Sequence, residues 1–113
     1  VLAVPNLLVS AAYYRDQLGF EVIEIDDPGW RFARRGRCYL MLGECPEAMP
    51  VAQLGDHANC MYWEVDDIDA LYAEWVSRGA QPKAAPQDKP WGMREFALRT
   101  IDGHGITVGQ ALP

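Results

Sequence analysis

Tyr13-Tyr14-Arg15-Asp16-Gln17-Leu18-Gly19-Phe20 carries the chain out of a helix, through a glycine and into a strand. Upstream of it, Leu7, Ala11, Tyr14 and Leu18 recur at helical spacing, and Pro5-Asn6 offers a stop followed by an N-cap. Gly19 stands where a C-terminal cap belongs, because glycine takes a left-handed backbone without steric cost. Downstream, residues 20–25 read as a strand, and Asp26-Asp27-Pro28-Gly29 as a turn in which proline sets φ and glycine relieves it. Residues 30–34 and 38–42 then form a hairpin turned at Gly36. With residues 1–4 as a leading strand, the first half reads strand, helix, three strands.

The same order returns in the second half. Residues 59–65 are a strand rich in aromatic and β-branched side chains. Asp67 caps a helix with Ile68, Leu71, Tyr72, Trp75 and Val76 on one face, the cleanest amphipathic pattern in the chain. Arg78-Gly79-Ala80 then repeats the Leu18-Gly19-Phe20 transition. A weak strand is expected near residues 81–84, followed by a proline-bounded loop to Trp91-Gly92 and a hairpin closed at Asp102-Gly103. Within it Phe96 and Leu98 share one face, and Glu95 and Ala97 the other. Residues 44–57 contain two prolines and no period, which reads as a long connection. Tandem copies of one motif are an internal repeat.

Composition narrows the function. The chain has 113 residues, 50% hydrophobic and 23% charged, with net charge −6. That balance describes a globular domain without the basic face that phosphate binding needs, so nucleic acid is not an expected partner. No apolar run reaches the length of a membrane span, and a membrane is not expected either. Cys38, Cys45 and Cys60 are odd in number and unpaired in spacing, as suits reduced thiols in a cytoplasm.

The run 13–20 resembles the Phe-Tyr-Arg-Asp-x-Leu-Gly-Phe signature of the vicinal oxygen chelate superfamily, which groups glyoxalase I, extradiol dioxygenases and bleomycin resistance proteins. Glu64-Val65-Asp66-Asp67-Ile68-Asp69-Ala70-Leu71, and Arg94 to Arg99 with Asp102-Gly103, are similar to its second-half signatures. The resemblance implies an α+β fold of tandem βαβββ modules forming a cupped mixed sheet, completed as a homodimer. It implies a single domain, with module 1 at about 1–44, a loop at 45–57 and module 2 at about 58–113.

Metal-dependent members of that superfamily place His, Glu or Gln at four strand positions. The first falls at or before Val1. The other three fall on Met41, Cys60 and Thr107, which are poor donors for a hard or borderline divalent cation. No metal, cofactor or catalytic residue is therefore expected, and the chain is read as a binding protein rather than an enzyme. His57 and His104, the only histidines, read as solvated turn residues.

Strand alternation leaves Tyr39, Met41, Cys60, Tyr62 and Glu64 away from the helix-facing core, with Trp30, Phe32 and Trp91 as further aromatic candidates. Trp63 and Trp75 are expected in the core. Among the superfamily's branches, bleomycin resistance proteins resemble the chain most. The shared features are Gly29-Trp30 opening a strand, Leu40-Met41-Leu42, and Trp91-Gly92. This resemblance implies sequestration of a flat, cationic antibiotic in an aromatic groove at a dimer interface. The expected ligand-binding residues are Trp91, Gly92, Trp30, Phe32, Tyr39, Met41, Cys60, Tyr62, Glu64, Glu95 and Thr107. Asp26 and Asp27 are further acidic candidates. Two alternatives are a metal-dependent glyoxalase- or dioxygenase-type enzyme and a carrier of another planar natural product.

Overall fold

Two helix starts share one capping scheme, and it shows how closely the halves repeat. Asn6 Oδ1 accepts from the Val9 N–H at 3.1 Å, and Asp67 Oδ1 accepts from the Ala70 N–H at 3.1 Å. A second acceptor arrives from a strand in each case. Glu44 Oε2 takes the Leu7 N–H at 3.3 Å, and Gln110 Oε1 takes the Ile68 N–H at 2.8 Å. Two of the four orphan donors at each helix start are thereby satisfied, and each such cap contributes about 1 kcal/mol.

The computed structural model describes residues 1–113, the side chain of Asp56 apart. Its Cα framework divides into two compact units, Val1–Pro50 and Val51–Pro113. The first holds β1 (Leu2–Val4), α1 (Leu7–Asp16), β2 (Glu21–Glu24), β3 (Trp30–Arg35) and β4 (Cys38–Glu44). The second holds β5 (Asn59–Glu64), α2 (Ile68–Ser77), β6 (Gln87–Asp88), β7 (Met93–Arg99) and β8 (Gly105–Ala111). Each unit builds its own four-stranded sheet, in the orders β1-β4-β3-β2 and β5-β8-β7-β6. The first pair of each sheet is parallel and the others antiparallel. The mixed sheet expected from the resemblance is thus a pair of mixed sheets, one per βαβββ module.

Each helix covers one face of its sheet. Between α1 and its sheet, Leu7, Ala11 and Tyr14 from the helix, Leu18 after it, and Leu40 and Leu42 from β4 are all buried, and the Tyr14 ring meets Phe20 edge-on at 5.6 Å. Under α2, Trp75 is 0% exposed and packs edge-on against Phe96 at 5.6 Å, with Tyr72 on the same ring at 5.5 Å. The helix ends as its glycine requires. Gly79 has φ +96°, its N–H donates to the Val76 carbonyl at 3.1 Å, and the Ala80 N–H donates to Trp75 at 2.9 Å. Val76, expected on the buried stripe, is 47% exposed because it lies at the stripe's edge.

Three local expectations change. No strand forms at residues 81–84; the edge strand is the two-residue β6, paired at Gln87 with Glu95 and at Asp88 with Arg94. Lys83 is tied separately, its N–H donating to the Ala97 carbonyl at 2.9 Å, and the prolines at 82 and 86 cannot donate to a ladder. Residues 44–57 are not wholly irregular, since Val51–Ala58 winds into a 3-10 segment kinked at Gly55. His104 is not a solvated turn residue. It is 4% exposed, with Nδ1 unpartnered, and its backbone closes the β7–β8 loop by accepting from the Thr100 N–H at 2.8 Å. No helix is long and apolar enough to cross a membrane among the described residues.

Burial pushes the His104 imidazole below its ordinary pKa, with Asp102 opposing the shift weakly. A group depressed in the fold is neutral there and binds a proton more readily when unfolded. Stability is therefore expected to be full above the ordinary value of 6.5 and to decline as pH falls below it. Melting temperatures measured between pH 7.5 and 5 check this. The decline should shrink in a His104→Gln chain.

Candidate ligand-binding site

Because Phe96 faces α2, its neighbours Glu95 and Ala97 must face away, and the alternation of β5 and β8 does the same for Cys60, Tyr62, Glu64, Thr107 and Gly109. On this open face of the second sheet, Tyr62 pairs with Thr107, while Glu64 and Glu95 flank Gly109 from either side. Tyr62 leans across β8 and donates its hydroxyl to Glu95 Oε2 at 2.6 Å. Trp91 Nε1 donates to the same oxygen at 2.9 Å. A carboxylate is thus held between two aromatic rings, Tyr62 at 50% exposed and Trp91 at 64%.

The turn Lys89-Pro90-Trp91-Gly92 presents the indole. Its Gly92 N–H donates to the Lys89 carbonyl at 3.1 Å, and Gly92 takes φ +85°. The Leu112 N–H donates to the Gly92 carbonyl at 3.0 Å, which ties the turn to the chain beyond β8. Trp91 is therefore displayed from an anchored turn, not buried as a plug.

Gly109 makes the crossing of Tyr62 possible. A Cβ at that position would overlap the Tyr62 hydroxyl and ring. Isolated glycine within a strand signals such a close approach, and this was the one cue to the position in the sequence. Desolvation first, and then the hydrogen bond to Glu95, pushes the Tyr62 phenol up to about 12. The phenol stays protonated at neutral pH and acts as a donor. Gly109→Ala is expected to displace the ring and return this value toward the ordinary 10. Titration of tyrosine ζ-carbon NMR signals checks it, and an unmoved high-pH signal would contradict the crossing geometry.

The cluster's electrostatics follow from its donors. Both groups on Glu95 Oε2 are neutral, so they orient the carboxylate without cancelling its charge. Oε1 has no partner among the described residues. An oriented anion between two accessible π faces can receive a cation by charge and by the ring quadrupoles together. Arg94 takes no part in this. On the helix side it bridges Asp69 at 2.9 Å and Asp88 at 3.0 Å, so the two adjacent residues serve opposite faces.

Other expected site residues lie on open faces of their own sheets. In the first unit Phe32 pairs with Met41, its ring contacts Tyr39 at 5.5 Å, and Trp30 pairs with Gly43. The Trp30 indole lies over Gly43, where a Cβ would come within 3.0 Å of it. An aromatic ring over a strand glycine is therefore a feature of both units. Asp27 is occupied within its turn, accepting from the Gly29 N–H at 2.9 Å.

The superfamily's metal chemistry has poor donors here. Met41, Cys60 and Thr107 offer a thioether, a thiol and a hydroxyl, and burial raises the Cys60 thiol pKa, which keeps it protonated. No group of three His, Cys, Asp or Glu suited to a metal occurs among the described residues. The residues present do not fit such an ion.

Residues 1–108 match the family model of the Glyoxalase/Bleomycin resistance protein/Dioxygenase superfamily. Among solved structures, the chain is similar to a bleomycin resistance determinant encoded on the transposon Tn5. The two are 27% identical over 97% of this chain and 92% of that one, with TM-score 0.80. It is also similar to TioX from Micromonospora sp. ML1, at 23% identity over 98% and 94% with TM-score 0.76. Lactoylglutathione lyase from Agrobacterium tumefaciens is 19% identical over 96% and 88%, with TM-score 0.70. The last two likenesses speak for the fold alone. No curated protein is matched. A family match that runs through both copies of the module settles the kinship: the chain belongs to the glyoxalase/bleomycin resistance protein/dioxygenase superfamily.

Proposed function

We propose that this protein binds and sequesters, without catalysis, a flat cationic small molecule of the bleomycin type, and that it does so as a homodimer. The observation that carries the reading is the single carboxylate oxygen of Glu95 shared by Tyr62 and Trp91, with both rings accessible. Planar heteroaromatic rings stack on such faces, and a positive charge on them is attracted by both the carboxylate and the rings. Glu64, exposed on the same face, adds negative potential, and Cys60, Thr107 and Gly92 complete the surface. The first sheet carries an aromatic surface of its own, from Trp30, Phe32, Tyr39 and Met41. A second copy of the chain supplies the opposing wall that encloses the ligand.

Sequestration is favoured over turnover by the residues themselves. Tyr62 has its pKa raised, so the phenol stays protonated and is not available as a general base at neutral pH, and both donors on Glu95 occupy the same carboxylate oxygen. Similarity to a bleomycin resistance determinant at 27% identity supports the ligand class. Titration of intrinsic tryptophan fluorescence with metal-free bleomycin, in the presence of a chelator, tests the reading. Saturable quenching at one drug per chain is expected. Quenching that appears only when metal is restored would point to the metal-dependent alternative, and no quenching would count against this ligand class.

A further inference from the structure

Lys83 and Lys89 are the only lysines in the sequence, and both line one recess of about 230 Å³ on the open face of the second sheet. Glu95, Ala97, Gln87 and Thr107 line it with them. Backbone bonds set the spacing. The Lys83 N–H is held by the Ala97 carbonyl and the Lys89 N–H by the Met93 carbonyl, at 2.9 and 2.7 Å. Four residue steps along the strand separate those anchors, about 13 Å, with Glu95 midway. Two long flexible stems rooted on either side of one recess can bring both ammonium groups to a single anion.

The rest of the chain's cationic side chains are mostly committed. Arg15 pairs with Asp16, Arg34 with Glu21, Arg78 with Glu74, and Arg94 with Asp69 and Asp88. Arg35 and Arg99 donate to backbone carbonyls. Neither lysine side chain has an ion pair or hydrogen bond among the described residues. A chain of net charge −6 thus places two uncommitted cations around one recess, beside the carboxylate that the cation site uses. Thr107 adds a hydroxyl able to donate.

We propose that this recess is an anion subsite, so that among flat cations the protein prefers those that also carry an anion. The flat cationic ring system meets Trp91, Tyr62 and Glu95, and a carboxylate or similar anion on the same molecule seats between Lys83 and Lys89 over Thr107. This rests on the reading of Glu95 as the cation site. The recess also gives Lys83 and Lys89 the role of specificity-determining residues, since a ligand lacking the anion leaves the two ammonium groups without a partner.

A matched dye pair tests it by fluorescence polarisation with the full chain. Rhodamine 110 carries a xanthylium cation and a free carboxylate, and rhodamine 123 is its methyl ester. The protein is expected to prefer rhodamine 110 by about fivefold, the upper range for a partly exposed ion pair. Lys83→Gln and Lys89→Gln should each reduce the preference, and the double variant should abolish it without weakening rhodamine 123 binding, since it removes two like charges from beside the cation site. Equal affinity for both dyes, or a preference that survives the double variant, overturns the anion subsite alone. Binding of neither dye overturns both this subsite and the cation site on which it rests.

Discussion

Trp91→Ala is expected to weaken binding of a flat cation by about thirtyfold while moving the melting temperature by less than about 4 °C. The first figure combines roughly 1 kcal/mol for aromatic stacking with about 1 kcal/mol for the cation–π attraction. The second follows from exposure. The indole is 64% accessible and gives one hydrogen bond to a half-buried carboxylate, so little of the fold depends on it. Thermal melting and ligand titration on the same sample separate the two effects. A large loss of stability would make Trp91 a structural residue, and unchanged affinity would remove it from the site.

Trp75→Ala should do the reverse. Its ring is 0% exposed, meets Phe96 at 5.6 Å and lies 6.2 Å from Trp63, so truncation opens a cavity beneath the second sheet. Large aromatic-to-alanine changes of this kind cost about 3–5 kcal/mol. Against a total of roughly 5–15 kcal/mol, that lowers the melting temperature by more than about 12 °C. The loss reaches the site through one strand, because Phe96 lies between Glu95 and Ala97 and fixes which way both point. Chains that remain folded should therefore bind more weakly as well. A fall of only a few degrees would mean that α2 is not what holds β7 in place.

The contrast between these two tryptophans was visible in the sequence because each stands in a different pattern. Trp75 falls on the helical stripe with Ile68 and Leu71, and burial follows from that spacing. Trp91 follows a proline and precedes a glycine, where no period applies and a display position is natural. The helix caps at Asn6 and Asp67, the glycine ends and the alternation of β4, β5 and β7 were legible for the same reason: each is a local rule. Glu44 and Gln110 were not legible as caps, since their partners lie 37 and 42 residues away. The Tyr62–Glu95 hydrogen bond spans 33 residues and depends on register across β8. No local pattern encodes that. His104 was misread because a turn residue was expected to face water, whereas the five-residue loop between β7 and β8 folds its side chain inward. The recess between Lys83 and Lys89 likewise emerges only once β6 shrinks to two residues and the segment before it is held to β7 by a single backbone bond.

Native mass spectrometry of the metal-free protein with bleomycin tests non-catalytic sequestration most directly, since one spectrum reports assembly, stoichiometry and the mass of the bound drug. A dimer carrying two drug molecules is expected, each released at its original mass after prolonged incubation, with or without added divalent metal. A released drug of altered mass, above all one that appears only when metal is supplied, would contradict it.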